Sequence, residues 1–228
     1  GVTDQVSRGA KKKKAFPAFW DGDYDYFWNL EMARYGATQD FVLNLRLLNV
    51  PKDLDGGRHM CVGKARRKGF SYKNGNVVAV RYNFYPQSYS IIGAYDKKYL
   101  FPKGTMQMFN DFLSFYDEHT PWAKKRDYVD KIDHKRASYE IKKNGVRIEK
   151  GFMSEVQAMS FKDNPDVARG KDADLVLLEE AGKFPNLKDS YKAIEPAMRD
   201  GSFVTGQIVI FGTGSGAEDK ENDWEDFY

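Results

Sequence analysis

A single cysteine, Cys61, is all that the 228-residue chain carries. An internal disulfide framework is therefore excluded, and one thiol fits a reducing cytosol. Histidine is almost as scarce, at 3 residues, which argues against a zinc site. No apolar run approaches the roughly 20 residues that a membrane span needs. The first residues are polar and basic and show no apolar core of a secretory signal. No internal repeat is found.

What is present is an ordinary globular composition, 41% hydrophobic and 30% charged, which suits one large domain or a domain plus an arm. The net charge of +3 is only mildly basic and does not by itself specify a nucleic-acid partner. The charge is clustered instead, in residues 11–14, 66–68 and 124–126. Residues 1–14 lack periodicity and read as a flexible basic arm. Aromatics reach 15% and crowd into residues 15–35, where 25–34 reads as a helix with Phe27, Leu30 and Met32 on its apolar side. Packing explains these rings more simply than base stacking by Trp20 or Tyr35.

Residues 40–50 form a short amphipathic helix or strand, broken by Pro51 and the Gly56-Gly57 pair. A strand over 58–62 then enters the sequence GKARRKGFS at 63–71. Ser71 reads as the N-cap of a helix running through Val77, Val78, Val80 and Arg81 toward Tyr85, stopped by Pro86. Strand, basic glycine loop and helix start together make a phosphate cradle, in which backbone N–H groups face the anion. The usual pattern is G-x-x-x-x-G-K-[ST]. Here Phe70 occupies the lysine position, while Ser71 is correctly placed. Lys64 at the loop entry supplies a cation that reaches back, and Arg66, Arg67 and Lys68 are alternatives. A basic turn without a ligand is the competing interpretation.

Residues 88–95 read as a strand and 103–118 as a helix with a wide apolar face. Residues 138–153 alternate around Asn144-Gly145, a strong hairpin signal, and 157–161 reads as a further strand. The stretch DADLVLLEEA at 172–181 runs four apolar residues into Glu179 and Glu180. Such a run reads as a strand buried on both faces. Acids at its C-terminal end stand where open α/β sheets place their chemistry. In a nucleotide hydrolase with this pattern, one acid holds Mg²⁺ and the next orients or deprotonates the attacking water; a solvated acidic turn is the plainer alternative. A helix over 187–198, a buried strand over 206–211 and a Thr/Gly loop follow. Strands alternating with helices predict an α/β fold with a mainly parallel sheet.

Three segments together resemble the ATPase domain of the large terminase subunit, the DNA-packaging motor of tailed bacteriophages. They are KARRKGFS at 64–71, ARGKDADLVLLEEA at 168–181 and FGTGSG at 211–216. Residues 64–71 are similar to a deviant Walker A in which an earlier lysine takes the usual role. Residues 168–181 resemble an Arg-Gly segment leading into Walker B, and residues 211–216 resemble a coupling motif. The likeness covers about residues 15–216.

It implies a P-loop NTPase of the additional-strand catalytic-glutamate type over residues 15–228, using ATP and Mg²⁺. Its implied roles are Lys64 on the β/γ-phosphates, with Lys68, Gly69, Phe70 and Ser71 completing the nucleotide loop. Ser71 and Glu179 would hold the metal, Glu180 would orient water, and Arg66 or Arg67 would stabilise transition-state charge, in cis or on a neighbouring subunit. Thr213 would couple hydrolysis to DNA movement. For Arg169 a salt bridge is at least as good a reading as a catalytic role. The implied partners are double-stranded DNA, a homo-oligomeric ring on the viral portal and the small terminase subunit, with no membrane, in the host cytoplasm. The nuclease domain of the family is absent, so a fragment of a longer protein is expected. A helicase-like motor, or a DNA-binding module with an inactive nucleotide site, are the alternatives. Two departures stand out: Phe70 replaces the lysine, and Glu179 stands where the family has aspartate.

Overall fold

The computed structural model describes residues 2–3, 14–15, 21–35, 57–65, 68–201 and 203–213. By its internal contacts the chain divides into two units, Gly1–Gly56 and Gly57–Tyr228. In the first, β1 (Val2–Thr3) pairs antiparallel with β2 (Lys14–Ala15). Helix α1 (Asp21–Tyr35) follows, with Tyr26, Leu30 and Met32 buried; Phe27 is only half-buried. The expectations for residues 40–50, for Trp20 and for the Tyr35 ring lie outside the described residues.

The second unit is a sheet flanked by helices. In chain order it runs β3 (Met60–Gly63), α2 (Phe70–Phe84), β4 (Tyr89–Ala94), α3 (Lys97–Leu100) and α4 (Thr105–His119). Then come β5 (Val129–Lys131), β6 (His134–Lys143), β7 (Val146–Ser160) and β8 (Leu175–Glu179). After α5 (Leu187–Ile194), a short pair β9 (Arg199–Asp200) and β10 (Phe203–Val204) precedes β11 (Gln207–Gly212). The 7-stranded sheet has the order β3-β11-β8-β4-β7-β6-β5. The first five strands are mutually parallel, and β6 and β5 add an antiparallel edge.

Strand β8 lies near the middle and all of its residues are buried, as a continuous apolar run requires. Its side chains alternate between faces. Val176 and Leu178 join Ile91, Ile208, Ile210, Leu187 and Ile194 in one core, beneath α5. Helices α2 and α4 pack together closely: a Cβ on Gly75 would lie 2.8 Å from the Met108 Cβ. Tyr82 and Phe109 meet edge to face across the same pair.

The expected hairpin forms, with Asn144 at φ 53° and Gly145 at φ 78°. Both angles are positive, as a two-residue type I′ turn needs. Residues 157–161 are not a separate strand. Most of them continue β7, a 15-residue strand that pairs antiparallel with β6 and then, over Glu155–Ser160, parallel with β4. The alternation is hidden by an irregular register opposite Arg136 and Ser138 and by Met153, which adopts φ 66°.

Candidate nucleotide site

Three neighbouring parallel strands end together. Gly212 of β11 is in register with Gly63 of β3, and Phe211 of β11 with Glu179 of β8. The phosphate-like loop, the two acids and Thr213 therefore emerge at the same edge, the C-terminal one. A Cβ on Gly212 would lie 2.6 Å from the Ala181 nitrogen. Only glycine allows the end of β11 to approach the turn after Glu180 this closely.

The loop is tied down at its start, where the Lys64 N–H donates to the Gly212 carbonyl at 2.9 Å. It ends at Gly69, whose φ of 71° is left-handed and favours glycine. Helix α2 begins at Phe70, so Gly69 is the N-cap and makes no side-chain cap bond. The expected Ser71 cap is corrected here: Ser71 lies in the first turn. Its hydroxyl donates to Glu179 Oε1 at 2.7 Å. Phe70 turns its ring toward Lys73, whose Nζ lies 4.6 Å from the centroid. Lys68 and Gly69 are exposed.

Glu179 is buried, and its second oxygen accepts the Thr105 N–H at 2.8 Å. Burial raises its pKa above the ordinary carboxylate range. The Ser71 and Thr105 hydrogen bonds oppose the rise, and the Glu180 charge adds to it. Glu180 takes the left-handed conformation, φ 52° and ψ 48°. A non-glycine residue held this way costs about 1–3 kcal/mol, and such residues cluster at functional sites. The bend carries its carboxylate out of the strand toward Lys64, whose Nζ lies 3.5 Å from Oε1. Lys64 is itself largely buried, with 10% of its side chain exposed.

The structure thus brings together Lys64, Ser71, Glu179 and Glu180. Thr213 directly follows β11 at the same edge. Arg66, Arg67 and residues 214–216 lie outside the described residues. Arg169 sits apart, in an exposed ion pair with Asp166 at 2.7 Å. Thr105 was missed by sequence reasoning. Its only local signal is the helix start after Gly104, where N–H groups lack helical partners.

Among the described residues, no group of three or more His, Cys, Asp or Glu side chains could hold a metal alone. Ser71 and Glu179 offer two oxygen donors side by side. Mg²⁺ favours such a set, one or two protein oxygens completed by phosphate oxygens and water, so the donors fit that ion.

The order β3-β11-β8 places one strand between the phosphate-loop strand and the acid-bearing strand. With a mainly parallel sheet flanked by helices, this is the fold of a P-loop NTPase of the additional-strand type. No protein-family model matches the chain, and no curated protein matches it. Solved structures do match, phage large terminases among them. A mutant form of the Thermus phage P74-26 large terminase ATPase domain is 19% identical, with a TM-score of 0.51 over 75% of this chain and 64% of that one. Another structure of that ATPase domain is 17% identical, with a TM-score of 0.50 over 84% of this chain and 73% of that one. The HK97 bacteriophage large terminase is 14% identical, with a TM-score of 0.48 over 70% of this chain and 30% of that one. The chain spans about 64% of the first of these. At such identities the likeness is one of fold.

Proposed function

We propose that the chain is the ATP-hydrolysing motor domain of a viral DNA-packaging terminase, coupling Mg²⁺-dependent hydrolysis to movement of double-stranded DNA. One observation carries the reading. At the shared edge of β3, β11 and β8, a hydroxyl and a buried carboxylate stand beside a lysine and a second carboxylate. These are the groups that phosphoryl transfer to water requires, and they come from segments far apart in sequence.

Lys64 neutralises charge on the β/γ-phosphates, and the N–H groups at Gly69, Phe70 and Ser71 face the same anion at the head of α2. Ser71 and Glu179 would hold Mg²⁺, which when bound would neutralise phosphate charge. Glu180 orients the attacking water and accepts its proton. The 3.5 Å separation of Lys64 and Glu180 supports their acting on one locus. Arg66 or Arg67 stabilises transition-state charge, and Thr213 relays hydrolysis. The assembled motor is a ring on the viral portal, working with a small terminase subunit in the host cytoplasm. No helix among the described residues is long and apolar enough to cross a membrane.

An ATPase assay with Mg²⁺, with and without double-stranded DNA, tests the reading. The expected result is Mg²⁺-dependent hydrolysis that DNA alters. Nucleotide binding without turnover by the unaltered chain would instead mark an assembly module with an inactive site.

A further inference from the structure

The Glu179 carboxylate is held from two sides, and only one of them belongs to the phosphate loop. Ser71 reaches Oε1, while the backbone N–H of Thr105 reaches Oε2. Thr105 is the first residue of α4. The first N–H groups of a helix have no partner inside it and form its positive end. Here one of them meets a buried carboxylate. Thr105 is fully buried, and its Oγ1 makes no hydrogen bond among the described residues.

The surrounding packing is constructed for this approach. A Cβ on Gly104 would fall 1.8 Å from the Tyr99 carbonyl oxygen, so only glycine lets the chain enter α4 by this route. The close contact at Gly75 and Met108 fixes α4 against α2. The two helices that converge on Glu179 are therefore locked to each other.

We propose that Thr105 is a positioning residue for Glu179: its N–H anchors the far oxygen, so that a glutamate, one methylene longer than aspartate, presents its near oxygen beside Ser71. The extra methylene adds a rotatable bond, and an anchor at Oε2 removes that freedom. This rests on the reading of Ser71 and Glu179 as donors to a nucleotide-bound Mg²⁺.

Thr105→Pro removes the N–H while suiting the first turn of a helix. Gly104 is already extended, at φ −84° and ψ −178°, as a residue before proline must be. The readout is the Mg²⁺ dependence of binding of a fluorescent ADP analogue, with folding checked by thermal unfolding. Thr105→Pro is expected to raise the half-saturating Mg²⁺ about 10- to 100-fold, the usual effect of losing a partner that orients a metal ligand. Glu179→Asp, too short to reach both Ser71 and Thr105, raises it as well. The double variant is expected to match Glu179→Asp within about twofold, because both changes break one connection. An unchanged Mg²⁺ dependence in Thr105→Pro, or effects that multiply in the double variant, would overturn the proposal.

If the unaltered chain shows no Mg²⁺-dependent nucleotide binding, the functional reading fails instead. Should Thr105→Pro not fold, the Thr105 amide proton in Glu179→Ala decides. An upfield shift and lost exchange protection support the anchor, and an unmoved resonance refutes it.

Discussion

The two ends of the seven-stranded sheet treat charge in opposite ways. At the antiparallel end, acids are matched with cations. Arg136 is forked between Glu149, at 2.7 Å, and Glu155. His134 joins Glu155, and Arg126 is held by Asp117 and Asp130. The Lys97 ammonium keeps the Asp133 carboxyl below its ordinary range. At the parallel end, Glu179 is buried with a hydroxyl and an amide as its partners, and its pKa rises. A close-knit network of ion pairs has little left to offer a ligand, whereas the Lys64–Glu180 contact at the parallel end is a single, looser pair at 3.5 Å. A buried carboxylate held by neutral donors gains from a cation brought to it. The contrast favours the proposed nucleotide site over the place where empty volume lies. A cavity of about 340 Å³ lies at the start of β4, lined by Tyr89, Gln87, Met153, Arg136 and Glu155, where the charged groups already satisfy one another.

The contrast breaks most visibly at Glu180. Glu180→Gln is expected to retain ATP binding and lose about 10²- to 10⁴-fold in hydrolysis, the range of a general base. Single-turnover rates near those of the unaltered chain would remove Glu180 from the mechanism. Next comes the lysine assignment. Lys64→Ala is expected to weaken ATP binding about 10- to 100-fold, as loss of a charged hydrogen bond does. Lys68→Ala, at an exposed position, is expected to do less. Calorimetric titrations giving the reverse order would move the role to Lys68.

Smaller effects separate stability from function. Arg136→Ala is expected to lower stability by about 1 kcal/mol, given the partial exposure of its ion pairs, and to leave hydrolysis unchanged. A drop in turnover would tie the antiparallel edge to the site. Glu179→Gln is expected to do the opposite. The raised pKa of Glu179 means that the native state binds a proton more tightly than the unfolded chain. Stability therefore falls as pH rises from the ordinary carboxylate pKa through the raised one. Replacing the acid removes that cost, so the variant's Tm at neutral pH is expected to exceed that of the parent. The gain is about 2–4 °C for roughly each kcal/mol recovered, and it shrinks as pH falls toward the carboxylate range. Melting curves with a lower Tm for Glu179→Gln, or a gap that ignores pH, would contradict the burial argument.

How far the sequence alone led can be judged residue by residue. The buried run before Glu179 was legible because four consecutive apolar residues suit a strand covered on both faces. The Asn144-Gly145 hairpin was legible because its turn chemistry is local. The role of Ser71 was half legible. Its place after the glycine loop suggested the helix start, but the left-handed Gly69 took the cap. The hydroxyl was left for an acid 108 positions away, and no local pattern encodes that. Thr105 was invisible for the same reason: a backbone N–H has no residue-type signature. Strand order is likewise a long-range property: no local pattern encodes the insertion of β11 between β3 and β8, which the family resemblance implied and the sheet order bears out.

A crystal structure with Mg²⁺ and a non-hydrolysable ATP analogue is the decisive experiment. The γ-phosphate is expected within hydrogen-bonding distance of Lys64 Nζ, the metal facing Ser71 and Glu179, and Glu180 within reach of a water in line with the terminal phosphate. Phosphates lodged elsewhere, whether beside Lys68 alone or in the cavity at Arg136 and Glu155, would contradict it.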